Sequence, residues 1–290
     1  MIEVFSVKIN TGSKIALVAC SNAQSKANEE KINELMSKLQ SIGYHPVLSD
    51  FIYETDSYFS GTGQERANAL MDAYRDDEVK AIFDISGGDI ANEVLDYLDF
   101  DVIKNNNKPF FGYSDLTTII NAIYTMTGNV SGLYQIRNLV GEDGDWQCQN
   151  FLETFVEGKD SLTNIGHMFI QEHFMEGIVI GGNIRCLLKL AGTKYMPDFT
   201  DKILLLEAYG STSQQVMTYL TQLKQMGVFE KIRGVLLGTF TKLDAEIFVP
   251  SVEELVYLVA GSEIPVARTM DIGHGSDAKM ILIGNHYNFD

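Results

Sequence analysis

Residues 81–127 read AIFDISGGDIANEVLDYLDFDVIKNNNKPFFGYSDLTTIINAIYTMT. Two short apolar runs stand out, AIFDIS (Ala81–Ser86) and PFFGYS (Pro109–Ser114). Each has the length and the aromatic or β-branched content of a buried strand. The first run ends in Gly87-Gly88 and leads into a helical pattern at Asn92–Leu98; the second ends at Ser114-Asp115 and leads into another at Leu116–Thr127. Strand, tight turn, helix and strand again is the rhythm of a parallel sheet with crossover helices. In such sheets ligands bind at the carboxyl ends of the strands, which here are the two turns.

The rhythm extends in both directions. KIALVAC (Lys14–Cys20) predicts a strand, Ser21-Asn22 offer caps, and a helix follows over Ala27–Ile42 with Ile32, Leu35, Met36 and Leu39 on one face. Gly43 closes it, HPVLS returns as a strand, and Ala67–Tyr74 predicts the next helix. Residues 1–157 therefore read as an α/β domain with a doubly wound, mainly parallel sheet. The polar, turn-rich EGKDSLTNIG begins a linker set at 158–175. Beyond it, GIVIGGN, KILLLEA and GVLLGTF alternate with helical patterns at Ile184–Leu190, Ser213–Met226 and Val252–Val259. The chain closes on MDIGHGSD and MILIG, so 176–290 read as a smaller C-terminal α/β domain.

Composition narrows the function. With 290 residues, 45% hydrophobic and 21% charged, the chain is ordinary globular material large enough for two domains. Lys+Arg 22 against Asp+Glu 39 gives a net charge of −17, which argues against a nucleic acid partner. The opening MIEVFSVKINTGSK has no apolar core of a signal peptide, and no apolar run approaches the roughly 20 residues of a membrane span. A cytoplasmic protein without a membrane partner is expected. Cys20, Cys148 and Cys186 are far apart and form no CxxC, so free thiols are expected. No phosphate-binding GxxxxGK[ST], EF-hand or zinc spacing occurs, and no cofactor or metal is expected. Gly61–Arg66, GTGQER, begins like a dinucleotide fingerprint but lacks its third glycine and its strand, and reads as a loop leading to a helix.

The chemistry concentrates at the turns. A serine on a tight strand-to-helix turn, as in Gly112-x-Ser114, exposes its hydroxyl above the sheet, with helix N–H groups behind it. The blander reading is that Ser114 only caps the helix. Gly88 lets backbone approach a ligand closely, and its N–H beside that of Asp115 would form an oxyanion hole. A serine nucleophile needs a base. Of the five histidines, His45 opens a strand, His167 and His173 flank the linker beside Glu172, and His286 lies in the tail. His274 alone sits between two glycines in a turn after a strand, free to project into a cleft. Its orienting acid is Asp271 nearby, or Glu207 at the end of the apolar KILLLE. Arg137 and Arg185 are candidates to grip a substrate carboxylate, against the plainer role of ion-pair partners.

These blocks together resemble the LD-carboxypeptidase family of serine peptidases, which includes the microcin C self-immunity peptidases. The resemblance rests on KIALVACS, ERANALMDAYRDDEVKAIFDISGGDIANEVLDYLD, FFGYSDLTTIINAIYTMTG, GIVIGGNIRCLLKLAGTKYMPDFTDKILLLEAY, LTQLKQMGVFEKIRGVLLGTF and IPVARTMDIGHGSDAKMILIG, in family order along nearly the whole chain. It implies Ser114 of GYSD as nucleophile, His274 of GHG as base and Glu207, rather than Asp271, as acid. It also implies a homodimer and cleavage of a carboxyl-terminal amide bond, in an L,D-linked muropeptide tail or in a microcin C-like peptidyl-nucleotide. The chain departs from the family pattern at Asp89-Ile90-Ala91, with Asn92 retained, at Ser131–Gln135, and at Ala208-Tyr209 after the acid. These positions fall where the resemblance puts the substrate pocket, so substrate choice is expected to differ. Two rival readings are a small-ligand binding protein, which needs no Ser114–His274–Glu207 geometry, and a general esterase or amidase.

Overall fold

The computed structural model describes residues 7–55, 57–245 and 250–290. Its strands are β1 (Lys14–Val18), β2 (His45–Leu48), β3 (Val79–Asp84), β4 (Phe110–Gly112), β5 (Ser131–Leu133), β6 (Met168–Gln171), β7 (Met175–Asn183), β8 (Lys202–Ala208), β9 (Gly234–Phe240), β10 (Val266–Arg268), β11 (Ile281–Ile283) and β12 (His286–Phe289). Its helices are α1 (Glu29–Ser41), α2 (Gly63–Arg75), α3 (Phe100–Asn105), α4 (Thr117–Thr127), α5 (Gly144–Phe151), α6 (Ile184–Leu188), α7 (Ser213–Gln225), α8 (Thr241–Asp244) and α9 (Val252–Ala260).

The strands form two six-stranded sheets, ordered β2-β1-β3-β4-β5-β11 and β12-β7-β8-β9-β10-β6. The first is parallel except for β11, and the second is parallel between β7 and β10 with antiparallel strands at both edges. This is the α/β class that the apolar runs predict. Central strands are buried along nearly their whole length, as in Ile203–Ala208 of β8, because helices cover both faces of a parallel sheet. One face of the first sheet packs on an aromatic cluster in which Phe83 stacks on Phe111 at 4.6 Å and Phe151 on Phe155 at 4.3 Å.

Several local readings change. Ser21 and Asn22 do not cap α1; Ser25 caps a short 3-10 turn at Lys26–Asn28, and α1 follows. Gly61–Arg66 is not a loop to its end. Thr62 and Glu65 form a reciprocal capping box, so α2 is already under way at Gly63. Asn92–Leu98 is realised as a 3-10 segment, Ala91–Tyr97. The sheets also cut across the boundaries drawn from sequence. Within 158–175, β6 forms an edge of the second sheet, and within 176–290, β11 returns to pair with β5 of the first. The return has a physical cause in the short apolar run Met280–Ile283, which is buried on reaching the first sheet. No helix of the described residues is long and apolar enough to cross a membrane.

Candidate active site

The carboxyl end of β4 runs straight into the turn Ser114–Leu116 and then α4. Ser114 has φ +56, a left-handed conformation that a residue with a Cβ adopts at a cost, and such strain gathers at functional turns. Gly112 is required here, because a Cβ at that position would lie 2.7 Å from Cβ of Leu116. Leu116 occupies the place of the second glycine in the GxSxG elbow and folds back over Gly112. Tyr113 and Asp115 on either side are buried, whereas Ser114 is partly open.

Asp115 is the tie point of the turn. Its Oδ2 accepts from Ser21 Oγ at 2.6 Å and from the Ala91 amide at 2.8 Å, and its Oδ1 pairs with Lys189. Lys189 also donates to the Asp89 carbonyl at 2.8 Å, joining the Gly-Gly turn to the segment after α6. The Asp89 amide donates to Asn22 Oδ1 at 2.8 Å. Gly88 has φ +132, and a Cβ there would lie 2.2 Å from Asn22 Oδ1, so only glycine fits.

Glu207, near the end of β8, is fully buried, and its Oε2 lies 2.9 Å from His274 Nδ1. The separation is that of an ion pair or hydrogen bond, although the contact falls short of the straight geometry of a good hydrogen bond. The His274 ring stands edge-on to Tyr113 at 4.8 Å and lies 4.9 Å from Tyr209. Burial, and then the charge of Glu207, push the Tyr113 phenol well above its ordinary range. The His274 loop belongs to the C-terminal third of the chain, yet it is anchored from the first half. Asn138 donates to the Gly275 carbonyl at 3.2 Å, and Gln147 to those of Ser276 and Ala278 at 2.9 and 2.8 Å. Asp271, the rival acid, is engaged elsewhere, accepting from the Gly166 amide at 2.7 Å and Lys279 at 3.0 Å.

Ser114, His274 and Gly88 line one cavity of about 410 Å³, together with Asp89, Arg185 and Tyr209. Asn183, Gln215 and Tyr219 complete much of its wall. Arg185 pairs with Asp89 and donates to the Gly88 carbonyl at 3.1 Å. The pair holds the Asp89 carboxyl below its usual range. Arg137 is not part of this cavity. It reaches Gln24 Oε1 at 3.4 Å, and burial lowers its pKa. The other histidines lie elsewhere: His45 and His173 are exposed, His167 is 3.3 Å from the Asp290 carbonyl, and His286 is 3.4 Å from Glu176. Among the described residues no group of three or more His, Cys, Asp or Glu is arranged to hold a metal ion. The sequence reading missed Tyr113, Lys189, Ser21 and Asn22. Tyr113 had a signal, its place beside Ser114; for the other three, no local pattern announces a partner so far along the chain.

The profile of the LD-carboxypeptidase N-terminal domain matches residues 15–135, and that of the LD-carboxypeptidase C-terminal domain matches residues 176–289. The chain belongs to the LD-carboxypeptidase family. It is 28% identical over 309 residues to YocD of Bacillus subtilis, spanning 97% of this chain and 94% of that one. It is 27% identical over 271 residues to the microcin C7 self-immunity protein MccF of Escherichia coli, spanning 81% of this chain and 78% of MccF. The solved apo structure of MccF superimposes with a TM-score of 0.86 at 23% identity, covering 98% of this chain and 94% of that one. A muramoyltetrapeptide carboxypeptidase from Oxalobacter formigenes superimposes with a TM-score of 0.77 at 23% identity, over 95% and 94%. These likenesses extend the two-sheet α/β arrangement of the LD-carboxypeptidase family to this chain.

Proposed function

We propose that this LD-carboxypeptidase family member is a serine carboxypeptidase that cleaves a carboxyl-terminal amide bond through an acyl-enzyme. The observation that carries the reading is that His274, which lines one cavity with Ser114, lies 2.9 Å from the buried Glu207 carboxylate behind it. Ser114 Oγ attacks the carbonyl carbon and gives its proton to His274 Nε2. Glu207 fixes the ring tautomer and stabilises the imidazolium. The amide N–H groups of Gly88 and Asp115 receive the oxyanion. His274 then protonates the leaving amine as the C–N bond breaks, which leaves an ester on Ser114. Water, losing a proton to His274, attacks that ester; the C–O bond breaks, His274 returns the proton to Ser114 Oγ, and the acid is freed. The nucleophile comes from 1–157 and the acid and base from 176–290.

The leading substrate is an L,D-linked muropeptide tail. A specific feature favours a second reading, a microcin C-like peptidyl-nucleotide. Tyr209 is 62% exposed at the cavity, with Tyr219 in the same wall, and the two offer ring faces for a base to stack on. MccF has been solved with aspartyl sulfamoyl adenosine bound. Mass spectrometry of products from a muropeptide tetrapeptide and from a processed microcin C analogue decides between them. Release of the terminal residue from the tetrapeptide alone supports the first, amide cleavage of the analogue alone the second, and turnover of neither removes both. The reading includes a cytoplasmic location, supported by three free cysteines, and a homodimer, supported by family likeness. Light scattering that gives a monomer mass at micromolar concentration would exclude the dimer.

A further inference from the structure

Five buried polar atoms around the proposed base make no well-formed hydrogen bond: the Tyr113 hydroxyl, both carboxylate oxygens of Glu207 and both ring nitrogens of His274. Buried polar groups are almost always paired, and a buried carboxylate without donors is among the most costly groups a fold can hold. His274 Nε2 is the atom that the proposed mechanism turns toward Ser114; the other four can answer one another. His274 Nδ1 supplies one donor at 2.9 Å from Oε2. The other carboxylate oxygen needs a donor too. Tyr113 is fully buried and its ring stands edge-on to the imidazole, with centroids 4.8 Å apart and planes at 76°. Burial first, and then the charge of Glu207, raise the Tyr113 phenol, so the hydroxyl keeps the proton that it would donate.

We propose that Tyr113 is a positioning residue: its hydroxyl donates to the second oxygen of Glu207 while its ring braces His274, so that acid and base are held as one unit. The inference rests on the serine-peptidase reading above. Tyr113 directly precedes Ser114, so one turn carries both the nucleophile and the brace of its base. The strained φ of Ser114 then has a second consequence, since the turn that presents its hydroxyl also fixes where Tyr113 stands. The titratable and charged groups facing His274 are Glu207, Tyr113 and Tyr209, with Arg185 and Asp89 in the wall of the shared cavity. Thr239 is a rival donor, because its hydroxyl is also buried without a partner and lies against Gly273.

The test needs no knowledge of the substrate. A fluorophosphonate probe labels an activated serine, and its rate rises with pH as the base loses its proton. Removing the Tyr113 hydroxyl leaves the full carboxylate charge to face the imidazole, which favours the imidazolium and moves the midpoint upward. For Tyr113→Phe the expected result is a plateau labelling rate lower by roughly tenfold, the loss of one hydrogen bond to a charged group. The midpoint is expected to rise by about one pH unit. A structural role alone would lower the thermal midpoint and leave the pH midpoint in place. Wild-type rate and pH midpoint in Tyr113→Phe overturn the inference, as does a pH shift seen in Thr239→Val and not in Tyr113→Phe. No labelling of Ser114 in the wild type overturns the serine-nucleophile reading, and the inference with it.

Discussion

At the scale of single residues, the proposed acid is distinguished from its rival by where two carboxylates point rather than by how near they are in sequence. Asp271 is three positions from His274 but turns toward the Gly166 amide and Lys279, whereas Glu207 arrives from another strand to lie 2.9 Å from the ring. The residues alone leave both open for that reason, and only the family resemblance favours Glu207. If Glu207 orients the base, Glu207→Gln should lower kcat strongly and Asp271→Asn only mildly. Ser114→Ala and His274→Ala should each lose on the order of 10³-fold or more, and the double mutant should lose little beyond either, because members of a triad act as a unit. Steady-state kcat for these variants, each checked for native folding, is the measurement. A severe Asp271→Asn defect beside a mild Glu207→Gln defect would move the acid role to Asp271.

At the scale of elements, the turns that build the site are held from a distance. Lys189, just beyond α6, reaches the fully buried Asp115 in the Ser114 turn. Removing the cation leaves a buried carboxylate unpaired, so Lys189→Met should destabilise by about 2 kcal/mol, discounted because Lys189 is partly exposed. That is a fall of roughly 5 °C in Tm. Unchanged Tm would show that the tie carries no stability. A second tie, Lys14 to Asp76 at 2.5 Å, joins the start of β1 to the end of α2 and lowers the Asp76 pKa, chiefly through the lysine's hydrogen bond. A lowered carboxylate pKa gives stability that is present above the ordinary value of 3.8 and is lost as pH falls through the folded value. Asp76→Asn should therefore lower Tm at pH 7, and the gap to wild type should narrow as pH falls below 3.8; a gap that does not narrow there would contradict the linkage. The same elements show what a linear reading reaches. The runs of β1, β3, β4, β8 and β9 are legible because strands covered on both faces must be apolar throughout. Edge strand β6 is not, since its apolar run is only Met168–Ile170, set between polar neighbours and half exposed. The start of α2 is legible in Thr62-x-x-Glu65, a capping box that overlaps the partial glycine match of Gly61–Arg66.

At the scale of the whole molecule, the two parts that the sequence profiles mark each keep a core cluster and a sheet, but a third core cluster spans both. Two family profiles meet on this chain. Yet one continuous core cluster contains Tyr113 and Leu133 from the first half together with Leu205 and Leu236 from the second. The halves also share backbone hydrogen bonding. Asn121 on α4 accepts from the Gly181 amide and donates to its carbonyl, both at 2.9 Å, as a neighbouring strand would. Thr117 Oγ1 accepts from the Asn183 amide at 3.0 Å, and at Gly182 a Cβ would meet that same hydroxyl at 2.7 Å. β11 completes the first sheet while β12, just beyond it, completes the second. Neither half can leave without exposing apolar core and stranding buried amides of the other, which is the condition for cooperative unfolding. Calorimetry should therefore give a single transition with matching calorimetric and van't Hoff enthalpies. Asn121→Leu, which strands the Gly181 amide and carbonyl, should lower that transition by a few degrees without splitting it. Two resolved transitions in the wild type would mean that the halves unfold independently. Ser114 and His274, which stand on opposite halves, would then owe their place in one cavity to surface contacts rather than to a shared core.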